Sequence, residues 1–401
     1  MHRARGPLGA GLGVLIALVV GLAGGVFVDQ RFPAQVPILN PGAPSGHIDQ
    51  AAYNQALRII QARFYTRDLD YAKLTQASIG GLVGALGDPF SRYLTPGQYR
   101  QQLRSYAGQL TGIGIYVDFR GQYPVVSGVI PGAPADKAGL RQGDVIVAVG
   151  GHDTRGVQAG QVTAEIEGRA GTSVSLTIHR GAASLTVAVT RARLTVPSVT
   201  SWHFAGDILY LRVFAFQAST AREFAAQLKA GLPARGVILD LRDNPGGFID
   251  AAQKVVSQFV ASGEVFSVRD RSGNSRRTDV TGTHPATAQP LIVLVNGNTA
   301  SAAEITAGAL QVRRRARLVG EKTFGKGEVE EDFPLPDGGD LHLTIEHWFL
   351  PNGRSVQHNG LTPDVKVTAP AAGHAFNVVE PSLGHAGDTQ LNEALKLLGG
   401  A

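Results

Sequence analysis

"LIVLVNGNTASAAEITAGAL", Leu291 to Leu310, decides how the largest part of this chain is read. The apolar run Leu291–Val295, stopped by an Asn-Gly pair, has the length and composition of a strand buried on both faces. The Ala-rich run beyond it carries Glu304 three residues after Ser301, the S-x-x-E spacing of a helix amino terminus. The bend between them holds Ser301. Strands recur on either side as "GVILDLR" (Gly236–Arg242) and "RLVGEK" (Arg317–Lys322). Helical runs alternate with them, "FIDAAQKVVSQFVASG" (Phe248–Gly263) and "SAAEITAGALQVRR" (Ser301–Arg314). Such alternation over about Thr200–Pro370 implies a mostly parallel sheet with helices packed on it. Reactive groups in these sheets gather at the carboxyl ends of the strands, where Ser301 stands.

The remainder of the 401 residues, 43% apolar, allows two domains or more. From Gly108 to Arg193 the chain is Gly-rich and alternates as strands do, in "SVSLTIHR" and "SLTVAVTR". His47 to about Arg104 reads as helical, broken by "LGDPFSRYLTPGQY". The segments are therefore set at 47–105 for a helical region, 106–195 for the β-rich module, 196–370 for the α/β core and 371–401 for a tail with a short amphipathic run, "DTQLNEALKLL". Residues 31–46, rich in Pro and Gly, read as a linker. Before it, Pro7–Val28 is uncharged and follows the basic "HRAR". That length and flank predict a membrane-spanning signal anchor over 1–30, a single pass through the cell membrane with the rest of the chain extracytoplasmic. A cleaved signal peptide, giving a secreted or periplasmic protein, is the competing expectation.

The formal net charge of +5, from 37 basic and 32 acidic residues, is a mild excess with no aromatic stripe beside the basic runs, so no nucleic-acid partner is expected. No cysteine is present, which excludes disulfides, thiol nucleophiles and thiolate metal sites. The 11 histidines form no H-E-x-x-H or similar pair, so no metal is expected either. "GEKTFGKG" (Gly320–Gly327) begins like a phosphate loop, but Gly327 stands where a hydroxyl should ligate magnesium, and no helix follows. No nucleotide or other cofactor is called for.

Lys326 in that stretch suggests different chemistry. A lysine whose amine is kept neutral by burial can take the proton of a serine hydroxyl. Ser301 and Lys326 both follow apolar strands and should lie on one edge of the sheet. The N–H of Ala302, in the first turn of the helix, is placed to donate to a developing oxyanion. Paired glycines in "LDLRDNPGG", Gly246 and Gly247, offer a second donor. Two competitors stand beside this reading: a distant histidine activating Ser301, and Ser301 acting only as a helix cap with Glu304. In the β-rich module, "LTGIGIYV" (Leu110–Val117) presents Gly112, Ile113, Gly114 and Ile115 as a turn whose N–H groups could hold a peptide carboxylate.

Taken in order, "DPFSRYLTP", "TGIGIYV" with "PADKAGLRQGDVIVAVGG", "LDLRDNPGG", "TASAAEI", "GEKTFGKG" and "PNGRSVQHNGLTPDVKV" resemble the carboxyl-terminal processing peptidases of the S41 serine peptidase family, over roughly residues 50–370. The resemblance implies an α/β multi-domain fold: a ClpP/crotonase-like core with a β-rich cap, an inserted PDZ domain and a helical N-terminal segment. It implies Ser301 as nucleophile, Lys326 as base, Gly247 (or less favourably Gly246) with Ala302 as the oxyanion hole, and Gly112–Ile115 as the PDZ peptide-binding loop. Expected partners are protein or peptide substrates with apolar carboxyl-terminal tails, and a second copy of the chain as a homo-oligomer. One departure stands out. The family has glutamine four residues after the lysine, whereas "GKGEVE" places Glu330 there, and an anion beside a base favours its charged form. The alternative from another class is a catalytically weak PDZ protein that binds tails without cutting them.

Overall fold

The computed structural model describes residues 47–119, 121–370 and 386–399. They divide into two compact units, one of residues up to Arg100 with Val329–Ile345, the other of Gln101–Glu328 with Glu346 onward.

The chain opens with helices α1 (Gln50–Arg63) and α2 (Tyr71–Gly84). Asp49 and Asp70 cap them, each carboxylate accepting a 2.9 Å hydrogen bond from a first-turn N–H. Strand β1 (Arg92–Leu94) and helix α3 (Pro96–Tyr106) follow. The "DPFS" stretch is a turn wound on one carboxylate. Asp88 accepts from the N–H groups of Phe90 (3.0 Å) and Ser91 (3.1 Å) and from the Thr344 hydroxyl (2.7 Å).

The Gly-rich module comprises β2 (Gln109–Gly112), β3 (Ile115–Asp118), β4 (Val125–Val129), α4 (Pro134–Lys137), β5 (Val145–Val149), β6 (His152–Asp153), α5 (Ala159–Ile166), β7 (Ser173–Arg180), β8 (Ala183–Thr190) and β9 (Ala192–Thr195). Its sheet runs β3-β4-β5-β7-β8, with β6 on β5, while β2 and β9 pair antiparallel where the module begins and ends. Alternation in "SVSLTIHR" puts Val174, Leu176 and Ile178 inside, against Ile113, Val126 and Ile146.

The α/β part runs β10 (Val199–Phe204), β11 (Ile208–Val213), α6 (Thr220–Gly231), β12 (Gly236–Asp240), α7 (Ile249–Ser257), β13 (Glu264–Asp270), β14 (Ser275–Asp279), β15 (Leu291–Val295), α8 (Ala302–Val312), β16 (Arg317–Gly320), β17 (Glu328–Pro334), β18 (Asp340–Phe349), β19 (Val365–Lys366) and α9 (Thr389–Leu397). Its main sheet has the order β10-β11-β12-β15-β16-β19, parallel from β11 to β19. Every residue of β12 and β15 is buried, as expected for strands covered on both faces. Leu391, Ala394 and Leu395 of α9 cover one face, against Tyr210, Ile238, Ile292 and Leu294. On the other face Gly231 of α6 lies against Leu209, too close for a Cβ. A second sheet pairs β13 with β14 and with the end of β18, and within the first unit β1 pairs with the start of β18.

The membrane anchor expected from the sequence, and the cell-membrane localisation built on it, need correction. Among the described residues no helix is long and apolar enough to cross a membrane, and Pro7–Val28 itself lies outside those residues. The helices α1 and α2, at 14 residues each, rise about 21 Å at ~1.5 Å per residue, short of a hydrocarbon core of roughly 30 Å.

Candidate active site

Three loops leave the carboxyl ends of β12, β15 and β16 and are bonded to one another. The β15 loop carries Ser301 at the N-cap of α8, in a backbone conformation (φ 54, ψ −120) that L-residues rarely take. Neighbours impose it. The Ala300 N–H donates to Asn244 O (3.0 Å) and the Thr299 hydroxyl to Leu241 O (2.8 Å), both on the β12 loop. Asn296 and Asn298 each donate through Nδ2 to Asp243 Oδ1, at 2.8 and 2.9 Å. Strain held by surrounding bonds in this way is a common property of reactive turns.

Glu304, fully buried one turn into α8, ties the serine to the lysine loop. Its Oε2 accepts from the N–H of Ser301 (3.0 Å) and of Lys326 (2.9 Å). Its Oε1 accepts from the N–H of Gly325 (2.9 Å) and the hydroxyl of Thr323 (2.5 Å). Burial pushes the Glu304 carboxyl above its usual range, against these donors, which favour the ionised form. The lysine loop is anchored further by the Phe324 N–H to Thr299 O (3.0 Å) and by the Trp348 indole to Lys326 O (3.0 Å). Lys326 is partly buried and Ser301 is 9% exposed.

The glycine pair on the β12 loop presses on the serine turn. A Cβ on Gly246 would stand 2.8 Å from Ser301 Cβ and 3.0 Å from the Ala302 nitrogen, and one on Gly247 would overlap Phe216 O. Their φ of 100 and 130 also exclude other residues. The Gly246 N–H is engaged within its own loop, donating to Asn244 Oδ1 (2.9 Å). Glu330 lies on β17 in the first unit, whereas Ser301, Lys326, Gly246, Gly247 and Ala302 belong to the second. His358 meets the lysine loop through its backbone, donating to Gly325 O at 2.9 Å.

A buried ionic cluster lies beneath the β12 loop. Arg242 donates to Asp240 (Nη2–Oδ2 2.6 Å) and to Asp388 (Nη1–Oδ1 2.8 Å), the residue that caps α9. Burial alone would raise the Asp240 carboxyl, but Arg242 and Arg212 outweigh it and hold Asp240 below its ordinary range. In the Gly-rich module a cavity of about 290 Å³ opens at the β2–β3 turn. Gly112, Ile113, Gly114 and Ile115 line it on one side, Ile166 and Glu167 on the other. Among the described residues no group of three or more His, Cys, Asp or Glu is arranged to hold a metal ion.

Residues 207–367 match the family model for peptidase family S41 and residues 125–180 match a PDZ domain. The chain is 35% identical over 366 residues to a carboxy-terminal-processing protease of Bartonella bacilliformis, covering 82% of this chain and 84% of that one. The chain belongs to peptidase family S41. A carboxyl-terminal-processing protease of Picosynechococcus is 33% identical over 362 residues, covering 88% and 86% of the two chains. Among solved structures, the photosystem II D1 C-terminal processing protease superposes with a TM-score of 0.54 at 28% identity, covering 90% of this chain and 94% of that one. The protein is thus a serine-type S41 endopeptidase with a PDZ domain, and its substrates are proteins or peptides.

The sequence of this S41 peptidase sets Ser301 and Lys326 on one sheet edge and offers Ala302 and the glycine pair as N–H donors. It assigns Glu304 to helix capping alone. Thr323, Asn244, Asp243 and the pair Arg242–Asp388 were missed. For Thr323 and Asn244 the available signal was a small polar residue inside each Gly-bounded motif, "KTFG" and "DNPGG". Nothing local marks Asp388, which lies 146 residues from its partner.

Proposed function

We propose that this S41 peptidase captures apolar carboxyl-terminal tails on its PDZ domain and cuts the attached proteins with a Ser301–Lys326 dyad. The single observation supporting the dyad is the Glu304 carboxylate, which accepts from the backbone N–H of both residues and so gives their loops one common anchor. Ser301 Oγ attacks the scissile carbonyl carbon while its proton passes to Lys326 Nζ. The carbonyl oxygen becomes an oxyanion facing the N–H groups of Ala302 and Gly247. Collapse of the tetrahedral intermediate breaks the C–N bond, and Lys326 returns the proton to the leaving amine. Water then attacks the acyl-enzyme, with Lys326 again taking a proton and giving it back to Ser301 Oγ. Glu330 stands in the chain where the family carries the glutamine that follows its lysine by four residues. The Gly112–Ile115 turn takes the tail carboxylate, and the tail extends along the β3 edge. The five-strand parallel run with helices on both faces favours a ClpP/crotonase-like core, within domain limits of 106–195 and 196–370.

Cleavage of unfolded casein by the full-length chain tests this. Ser301→Ala and Lys326→Ala should each abolish cleavage, and a chelator should leave it unchanged. Activity surviving Lys326→Ala would assign the base to another group. Glu330→Gln should keep or raise the rate near neutral pH, because it removes an anion that stabilises the ammonium form of the base.

A further inference from the structure

The cavity at the β2–β3 turn contains a carboxylate that the tail-binding role does not use. Glu167 follows the last residue of α5 and lines the same cavity as Gly112–Ile115. A Cβ on Gly112 would meet Glu167 Cγ at 4.0 Å, so the glutamate stem lies against the turn itself. Among the described residues the polar contact of this carboxylate is Gln101 Nε2 on α3, 3.5 Å from Oε2.

We propose that Glu167 couples capture of a free carboxyl-terminal tail to proton uptake, so that the PDZ domain holds tails more tightly as the pH falls. This rests on the reading of the β2–β3 turn as the tail site. A tail carboxylate seated on that turn shares one largely apolar cavity with Glu167, and two carboxylates so placed do not both ionise without cost. The helix geometry adds to the effect, since the carboxyl end of α5 carries partial negative charge. Burial already pushes the empty-state Glu167 carboxyl up.

The charges around Glu167 do not neutralise it. On α5, Glu165 adds a further anion, with His152 Nδ1 3.4 Å from it. Arg191, between β8 and β9, donates to the Glu165 and Ile166 carbonyls at 2.8 Å each. Arg104 and Arg193 line a neighbouring hollow that shares Thr111 with this cavity, and neither lines the cavity itself. From β3 the cavity is faced by Tyr116, neutral in this range because burial pushes its hydroxyl up to about 12.

The sign follows from linkage. Tail binding favours protonated Glu167, so its value is higher in the complex than in the empty site. Affinity is greatest below the empty-site value, falls as pH rises through the interval between the two, and levels off above the bound-state value. A separation of about one unit corresponds to roughly tenfold in affinity.

Fluorescence anisotropy of a rhodamine-labelled peptide ending in Leu-Ala-Ala tests this, using the full-length Ser301→Ala chain so that nothing is cut. From pH 5 to pH 8 its Kd should rise about tenfold. The amidated peptide should bind with little dependence on pH. Glu167→Gln should bind the free-acid peptide at pH 8 about as tightly as the parent does at pH 5, and Glu167→Asp should restore the slope. A free-acid peptide that binds with the same Kd throughout, or a slope that persists in Glu167→Gln, overturns the proposal while leaving the tail site standing. Failure of the free-acid peptide to bind at any pH overturns the tail-site reading and this proposal together.

Discussion

At Glu304 every partner is a donor. Two N–H groups share Oε2, and an N–H and a hydroxyl share Oε1. Glutamine has the same size but turns an amide nitrogen toward one of these pairs, so two donors lose their acceptor in a dry site. Hydrogen bonds to a charged group are worth about 1.5–3 kcal/mol each, and displacing a reacting group by ~1 Å can cost about 10²-fold in rate. Glu304→Gln should therefore lower kcat on casein about 10²-fold while KM and tail-peptide affinity stay near the parent values. A change confined to KM would place Glu304 outside the positioning of the proposed dyad. This carboxylate also shows why the sequence was only partly legible at single residues. The spacing from Ser301 to Glu304 announces a capping box, and the Ser301 N–H does donate to it. The same spacing says nothing about Thr323, Gly325 and Lys326, because a carboxylate's second set of partners arrives from another loop through tertiary folding.

Elements were more legible than their junctions. Apolar runs announced β12 and β15, and alternation announced β7, because burial on both faces or on one leaves a direct trace in residue pattern. The amphipathic "DTQLNEALKLL" was visible as α9, but not its place on the sheet beside Arg242. That contact is ionic and remote. Replacing Asp388 by Ala leaves the Arg242 guanidinium, 4% exposed, with Asp240 as its one remaining carboxylate among the described residues, and removes the cap that accepts from the Leu391 N–H at 3.0 Å. Breaking a buried pair in this way costs about 3–5 kcal/mol. The denaturant midpoint of Asp388→Ala should fall accordingly, with α9 the first segment to lose protection in hydrogen exchange. The cluster has an acid limit too. Asp240 is held below its ordinary range, so its contribution is complete above the unfolded-state value near 4 and is lost as pH falls through the folded one. An unfolding midpoint that stays at the parent value in Asp388→Ala would mean that α9 is held by its apolar face alone.

For the larger unit as a whole, the proposed tail site and the Ser301 loop are joined by a short run of contacts. Tyr116 on β3, the strand a tail would extend, stacks on Phe214 with ring centroids 4.8 Å apart and planes 18° from parallel. The Arg212 guanidinium sits 5.1 Å from the Phe214 centroid, and its Nη2 lies 3.8 Å from Asp243 Oδ2. Asp243 in turn accepts from Asn296 and Asn298 on the loop that carries Ser301. A tail that shifts Tyr116 therefore acts on Phe214, three contacts away from the loop that carries Ser301. Coupling between sites is reciprocal in binding free energy, which makes it measurable from either end. An irreversible acylating inhibitor on Ser301 should change the affinity of the PDZ domain for a tail peptide, by a factor within the usual fivefold to roughly 150-fold range. Phe214→Leu keeps an apolar side chain under Tyr116 but removes the ring face that both Tyr116 and Arg212 use. In that variant the factor should fall to about one, with the tail affinity of the uninhibited protein unchanged. Equal factors in parent and variant would show that the two sites communicate by another route, since the variant removes the ring that Tyr116 and Arg212 share.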